Sequence, residues 1–257
     1  MNLRDAVCIV TGSAAGIGAA CAARLAARGA RVAINCSKSL DAAEETAAAC
    51  RAAGGEAMVV QADVAKDGDC RRLVQTVVDR WGRLDALVNN AGTTKFARHA
   101  DLEALDAADF LRIYGVNVIG PYQMIRAAAP HLRAAAPGAV VNISSIAGLM
   151  GGGSSVAYAA SKGALNTMTL SLARALGPDI RVNAVCPGFV ETRWLREGYG
   201  EKLYGKLKAN YEANAALNAV MSPDDIADAV LWLIEGASRV TGEVLAVDGG
   251  FQLGGNR

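Results

Sequence analysis

Tyr158 and Lys162 stand four residues apart in SVAYAASKGA (155–164), a run of small residues that predicts a helix. At that spacing the two side chains share one helix face. A phenol ionises near pH 10, too weakly to exchange protons well at neutral pH. A cation one turn away favours the phenolate and lowers that value. The pair fits an acid that protonates a carbonyl oxygen, or a base in the reverse reaction, beside the cation that activates it. Two ordinary surface residues fit the spacing as well, so the rest of the chain must decide. Ser145 ends the strand-like run GAVVNISS (138–145). Its hydroxyl could hold a substrate oxygen for attack, and so could that of its neighbour Ser144.

The elements that must position these residues alternate along the chain. Strand-like runs occupy 5–10, 31–36, 56–63, 83–92, 138–145, 179–188 and 242–250. Helix-like segments occupy 16–29, 41–54, 69–82, 101–135, 155–176 and 222–236, and the fourth breaks near Tyr114. Apolar strands alternating with helices predict a parallel sheet covered on both faces. Right-handed crossovers then give a doubly wound, Rossmann-like α/β fold of about seven strands, in a single domain spanning 1–257. The stretch 189–222 falls outside the alternation. It reads as an irregular segment that serves as a substrate-binding lid, with a surface helical insertion as the plain alternative.

The first strand and first helix are joined by TGSAAGIG (11–18). Gly12 allows a tight turn, Gly16 lets the backbone approach a pyrophosphate, and Gly18 lets helix and sheet pack closely. Ser13, Ala15 and Ile17 fill the turn, whose amides face phosphate at the positive helix end. Asp63 and Val64 follow the third strand, where an acid could bond an adenine amine. Asn89, Asn90, Ala91 and Gly92 end the fourth, at the sheet edge where such folds bind ligands. After the second strand come Ser37 and Lys38, and no acid stands there to hold a ribose 2′-hydroxyl. A donor and a cation suit a 2′-phosphate, so NADP(H) is expected over NAD(H), with NAD(H) possible.

Composition excludes several classes. Net charge is +1 with acids and bases interspersed, so neither a nucleic-acid footprint nor a polybasic membrane patch is present. The apolar run at the N-terminus is too short for a signal core or a span, and the chain reads as cytoplasmic. The six cysteines form no CxxC pair, and His99 and His131 have no ligand-spaced neighbour. No metal site and no His-dependent hydrolase are supported.

Taken in order, TGSAAGIG, QADV (61–64), NNAG (89–92), VNVIG (116–120), NISS (142–145), YAASK (158–162) and RVNAVCPG (181–188) make the chain resemble the short-chain dehydrogenase/reductase superfamily. The match runs from the first strand to LAVDGG (245–250), and members like the 3-oxoacyl-thioester reductases look nearest. The resemblance implies a nicotinamide cofactor and a small-molecule carbonyl or alcohol substrate. It favours Ser145 over Ser144. It implies that Asn117 kinks a helix and holds a water linking Lys162 to solvent. It also implies that Lys162 holds the cofactor ribose, that Pro187, Gly188 and Val190 lie over the nicotinamide, and that Thr192 contacts the carboxamide. The chain departs from the family in two places. Ala15 stands where many NADP-using members carry arginine, and GLMGGGSSVAY (148–158) is unusually rich in glycine, which suggests an open or mobile substrate entrance. Trp194, Leu195, Tyr199, Leu203, Tyr204, Leu207 and Tyr211 are expected to form a substrate wall. Arg126 and Arg133 are candidates for docking an acyl carrier protein. Apolar helix faces and the resemblance together predict a homotetramer, or failing that a dimer. Two other readings are a non-catalytic nucleotide sensor and a serine hydrolase; the second lacks a GxSxG elbow.

Overall fold

The computed structural model describes residues 1–254; the last three residues of the expected domain lie outside the described residues. Seven parallel strands form one sheet in the order β3-β2-β1-β4-β5-β6-β7. They are β1 (Val7–Val10), β2 (Arg31–Cys36), β3 (Glu56–Gln61), β4 (Ala86–Asn89), β5 (Gly138–Ile143), β6 (Ile180–Pro187) and β7 (Val244–Val247). The order reverses between β1 and β4, which opens a crevice at their carboxyl ends.

Side chains alternate across the sheet and define two cores. Cys8 and Val10 of β1 join Val32, Ile34 and Val88 on one face. Helices α1 (Gly16–Ala27), α2 (Leu40–Ala52) and α10 (Pro223–Leu231) cover that face. Val7 and Ile9 join Ala33, Leu87 and Val140 on the other. There α3 (Asp67–Trp81), α5 (Gly120–Ala134) and α7 (Val156–Leu176) cover the sheet. Both faces are buried, so the strands carry continuous apolar runs.

Helix starts follow local capping. Ser155 accepts a hydrogen bond from the Tyr158 backbone N–H at 3.3 Å, which puts Tyr158 in the first turn of α7. Ser222 and Asp225 form a capping box for α10, and Asp106 and Asp109 one for α4 (Ala107–Tyr114). The break expected near Tyr114 is a π turn over Gly115–Ile119 that joins α4 to α5 and carries Asn117.

Two expectations are corrected. Several strands end earlier than their apolar runs suggest: β3 stops at Gln61, β4 at Asn89 and β5 at Ile143. The polar residues that follow leave the sheet as loops at its carboxyl edge. The stretch 189–222 is also not irregular. It holds α8 (Arg193–Tyr199) and α9 (Glu201–Asn214), and a one-turn α6 (Ala147–Met150) precedes α7. Both ends of the stretch are tied together by a parallel bridge between Val190 and Met221. The Met221 N–H donates to the Phe189 carbonyl at 2.9 Å, and the Glu191 N–H to the Met221 carbonyl at 2.8 Å.

Candidate active site

The glycine turn is held by side chains from three strands. Gly12 and Gly16 adopt φ of +61° and +58°, which few other residues tolerate. The Thr11 hydroxyl accepts the backbone N–H groups of Asn90 and Ala91, each at 3.0 Å. Asn90 returns its amide N–H to the Thr11 and Gly12 carbonyls at 3.0 and 2.9 Å. Asn35, buried in β2, accepts the Gly12 N–H at 3.2 Å and donates to the Val60 and Ala62 carbonyls. Its backbone N–H donates to the Ser13 hydroxyl at 3.0 Å. Gly18 lies against Asn90, and a Cβ there would collide with that amide.

The residues present fit a dinucleotide. No side chain caps the N-terminus of α1, where Ala15 stands at the cap position, and its first turn carries no acid. The first-turn amides, Ile17 among them, are thereby left for an anion. The space over Gly16 holds only the Thr192 methyl group, 3.6 Å from where a Cβ would be. Thr192 itself begins α8 and accepts the Leu195 N–H at 3.5 Å. The structure thus brings Thr192 to the glycine turn. Ser37 and Lys38 are exposed beyond β2, and among the described residues Lys38 has no ion-pair partner. Asp63 is half exposed and accepts the Ala65 N–H, while Val64 is buried beneath it against Gly120. Gly92 borders Asn117 and the Lys162 amine. Pro187 and Gly188 close β6, where the Gly188 N–H donates to the Val247 carbonyl. Val190 is buried at the base of 189–222.

The catalytic candidates converge beside this turn. The Ser145 hydroxyl accepts the Ala147 N–H at 3.1 Å and lies near enough to the Tyr158 phenol to favour its ionised form. Ser144 is buried and donates to the Lys162 carbonyl at 3.2 Å, so it serves the packing of α7 on β5. The Lys162 ammonium donates to the Ile143 carbonyl at 2.8 Å and lies 5.6 Å from the centre of the Tyr158 ring. Asn117 accepts the Thr93 N–H at 2.8 Å and donates to the Thr93 carbonyl and the Ser161 hydroxyl, both at 3.0 Å. Ser161 in turn donates to the Tyr158 carbonyl at 2.7 Å. The Asn117 side chain therefore joins the π turn to α7.

The acid–base balance differs from the expected one. Burial pushes the Tyr158 phenol up to about 12, and the nearby Ser145 hydroxyl only partly offsets this. Burial lowers the Lys162 amine to about 8. Burial outweighs any lowering of the phenol, and the Lys162 amine donates its hydrogen bond to the Ile143 carbonyl.

Other expectations separate. Trp194 and Tyr199 stand near Tyr158, with ring centres of Trp194 and Tyr158 6.1 Å apart. Tyr204 and Tyr211, expected beside them, are buried against Phe189 instead, and Tyr211 stacks on Phe251 at 4.1 Å. Leu203 points to solvent. Within the glycine-rich stretch, the Ala97 N–H donates to the Ser154 carbonyl and His99 bonds the Gly153 carbonyl at 3.2 Å, while Gly151 and Gly152 are exposed. Gly148 packs on the α7 backbone, where a Cβ would lie 2.5 Å from the Lys162 carbonyl carbon. Arg126 and Arg133 pair with Asp67 and Asp179, so neither is a free docking cation. Among the described residues there is no cluster of metal ligands, and no helix is long and apolar enough to cross a membrane. A surface depression of about 370 Å³ lined by Tyr199–Leu203 and Lys206 shares only Tyr199 with this site.

The sequence reading missed Asn35 and Phe96. Asn35 was visible as a polar residue inside the apolar run RVAINC, whereas Phe96 is a lone aromatic in a loop with no signal in its neighbours.

Residues 12–252 match the family described as enoyl-(acyl carrier protein) reductase. The chain is 45% identical over 247 residues to ketoacyl reductase 2 of the granaticin polyketide synthase from Streptomyces violaceoruber, covering 96% of each. It is 35% identical over 254 residues to a 3-oxoacyl-(acyl-carrier-protein) reductase from Thermotoga maritima, covering 97% of this chain and 99% of that one. A solved short-chain dehydrogenase/reductase from Burkholderia xenovorans superposes with a TM-score of 0.90 at 47% identity, over 97% of this chain and 99% of that one. The chain belongs to the short-chain dehydrogenase/reductase superfamily and is similar to its 3-oxoacyl reductases. It is an NAD(P)-dependent oxidoreductase that interconverts a secondary alcohol and a ketone.

The Lys162 assignment gives a pH test. Unfolded, its amine titrates near 10.5; folded, near 8. Between those values the unfolded chain binds more protons, so Lys162 makes stability rise with pH across that window and weighs against folding below it. Denaturation of the wild type and Lys162→Met at several pH values should show the wild type gaining on the variant from about pH 8 to 10.5, by on the order of 1–3 kcal/mol. A constant difference would show that Lys162 is not desolvated.

Proposed function

We propose that this chain is an NADP(H)-preferring carbonyl reductase of the 3-oxoacyl-thioester type, with Ser145, Tyr158, Lys162 and Asn117 as its site. The observation that carries the proposal is the placement of the Lys162 amine 5.6 Å from the centre of the Tyr158 ring and against Gly92, at the sheet edge that also holds the uncapped start of α1. The two relatives named as ketoacyl and 3-oxoacyl reductases support the substrate class. Other secondary alcohols, such as those of sugars or steroids, are the alternative substrates.

The bound nicotinamide would supply the hydride in reduction and accept it in oxidation. Ser145 donates a hydrogen bond to the substrate oxygen and fixes the carbonyl. Tyr158 delivers its proton to that oxygen as the carbonyl carbon gains the hydride. Its raised pKa keeps it protonated, the state that reduction needs. Lys162 offsets the charge left on the phenolate and holds the cofactor ribose, and Asn117 keeps a water path from Lys162 to solvent. Gly12, Ser13, Ala15, Gly16, Ile17 and Gly18 cradle the pyrophosphate. Asp63, Val64, Asn90, Ala91 and Gly92 line the adenosine side, and Pro187, Gly188, Val190 and Thr192 the nicotinamide side. Within a single domain, 189–222 acts as the substrate lid. Six buried free thiols fit a reducing, cytoplasmic setting. Phe110 and Leu111 on α4, Ile119 in the π turn, Tyr122 on α5 and Leu170 on α7 are exposed apolar side chains, which suits assembly as a homotetramer.

Tyr158→Phe should lower turnover of an acetoacetyl thioester by about 10²–10⁴-fold while NADPH still binds. Near-normal turnover would refute the site. Lys38→Ala should weaken NADPH binding by about 5-fold and leave NADH binding nearly unchanged. Equal effects on both would remove the 2′-phosphate role. Light scattering at micromolar concentration should give a tetramer mass, and a monomer mass would contradict the assembly.

A further inference from the structure

Three aromatic side chains from two parts of the chain gather beside Tyr158. Phe96 lies in the loop after β4, and Trp194 and Tyr199 lie on α8. The Phe96 ring centre is 5.7 Å from that of Trp194 and 4.7 Å from that of Tyr199, the latter edge-on. Trp194 also faces the Tyr158 ring at 6.1 Å. Gly198 explains why the rings hold this arrangement. Phe96 rests directly on its α-carbon, and a Cβ at that position would land inside the ring. The α8 backbone therefore backs the Phe96 ring, and no side chain intervenes.

The cluster is not core filling. Trp194 is 42% exposed, and Phe96 and Tyr199 are only partly buried. Fully buried aliphatic side chains supply the two cores. Trp194 lies against the Tyr158 ring, so the three rings border the space beside a ketone that Tyr158 would protonate. Aromatic side chains have few rotors and offer flat faces and edges that pair with another ring by stacking or edge contact. A flexible aliphatic chain gains less from such a surface and loses more rotor freedom on binding.

Resting on the carbonyl reduction proposed above, we infer that Phe96, Trp194 and Tyr199 form a ring-recognition wall and select 3-oxoacyl substrates that carry a ring at the ketone over linear ones. Gly198 is a positioning residue, since it allows Phe96 to take its place.

The test compares a 3-oxo-3-phenylpropanoyl thioester with an acetoacetyl thioester of the same N-acetylcysteamine carrier. The ratio of their kcat/KM values is measured in each variant, so that the different intrinsic reactivities of the two ketones cancel between proteins. Trp194→Leu, Tyr199→Leu and Gly198→Ala should each lower the phenyl-to-methyl ratio by about 2–10-fold, through KM more than kcat. Tyr199→Phe keeps the ring and should keep the ratio. Calorimetry without cofactor should show the same ranking in the dissociation constant of the phenyl thioester. Equal losses for both thioesters, or loss of the ratio in Tyr199→Phe, would overturn the inference while leaving carbonyl reduction intact. Absence of turnover of both thioesters by the wild type would overturn the inference together with the substrate class on which it rests.

Discussion

At Lys162 an ammonium group is taken out of water and given one strong acceptor, the Ile143 carbonyl at the end of β5. Such a transfer costs several kcal/mol unless neighbours compensate. The Tyr158 ring offers its electron-rich face, and no carboxylate is within ion-pair distance among the described residues. The amine is accordingly poised near neutrality, with its value at about 8. The surrounding structure serves this placement. Ser144 bonds the Lys162 carbonyl, Gly148 lets α6 press against the same backbone, and Ser155 caps the turn that presents Tyr158.

The nucleotide side depends on a comparable use of buried polar side chains. Thr11, Asn35 and Asn90 spend nearly all their hydrogen-bonding capacity on the backbone of the glycine turn and its neighbours. Buried polar groups of this kind are costly unless satisfied and rigidifying when they are. They hold the turn in its ligand-binding shape, with its helix amides uncapped. The proposed lid is built differently. Its two ends are pinned by the bridge of Val190 and Met221, and α9 is anchored by Tyr211, whose hydroxyl donates to the Asp248 carbonyl at 2.7 Å. Between them lies α8, whose Trp194 and Tyr199 rings meet Phe96 and Tyr158.

The sheet was legible in the sequence because both of its faces are buried, which writes continuous apolar runs between helical segments. The break near Tyr114 was also legible, since Gly115 and Asn117 interrupt an otherwise helical pattern. Strand ends were not, because Asp63 and Asn90 follow the runs without a break yet give their N–H groups to the side chains of Asp69 and Thr11 and not to a neighbouring strand. The spacing of Tyr158 and Lys162 showed that they share a helix face. It could not show that Lys162 turns inward to Ile143, nor that burial would raise the phenol and not lower it. Desolvation is a property of everything packed around a group, and local spacing does not contain it. For the same reason Tyr204 and Tyr211 looked like Trp194 and Tyr199 in sequence, although the first pair packs on Phe189 and the second gathers around Phe96.

The proposal that matters most is that Tyr158 and Lys162 act as one acid–base unit, with the phenol held protonated by burial until the oxidised nucleotide adds its charge to that of Lys162. Its most direct test is the phenolate absorbance of the wild type minus that of Tyr158→Phe, titrated with pH in the free protein and with NADP⁺ bound. The expected midpoint is about 12 in the free protein, falling toward neutrality with the oxidised nucleotide bound. A midpoint that nucleotide does not move would contradict it.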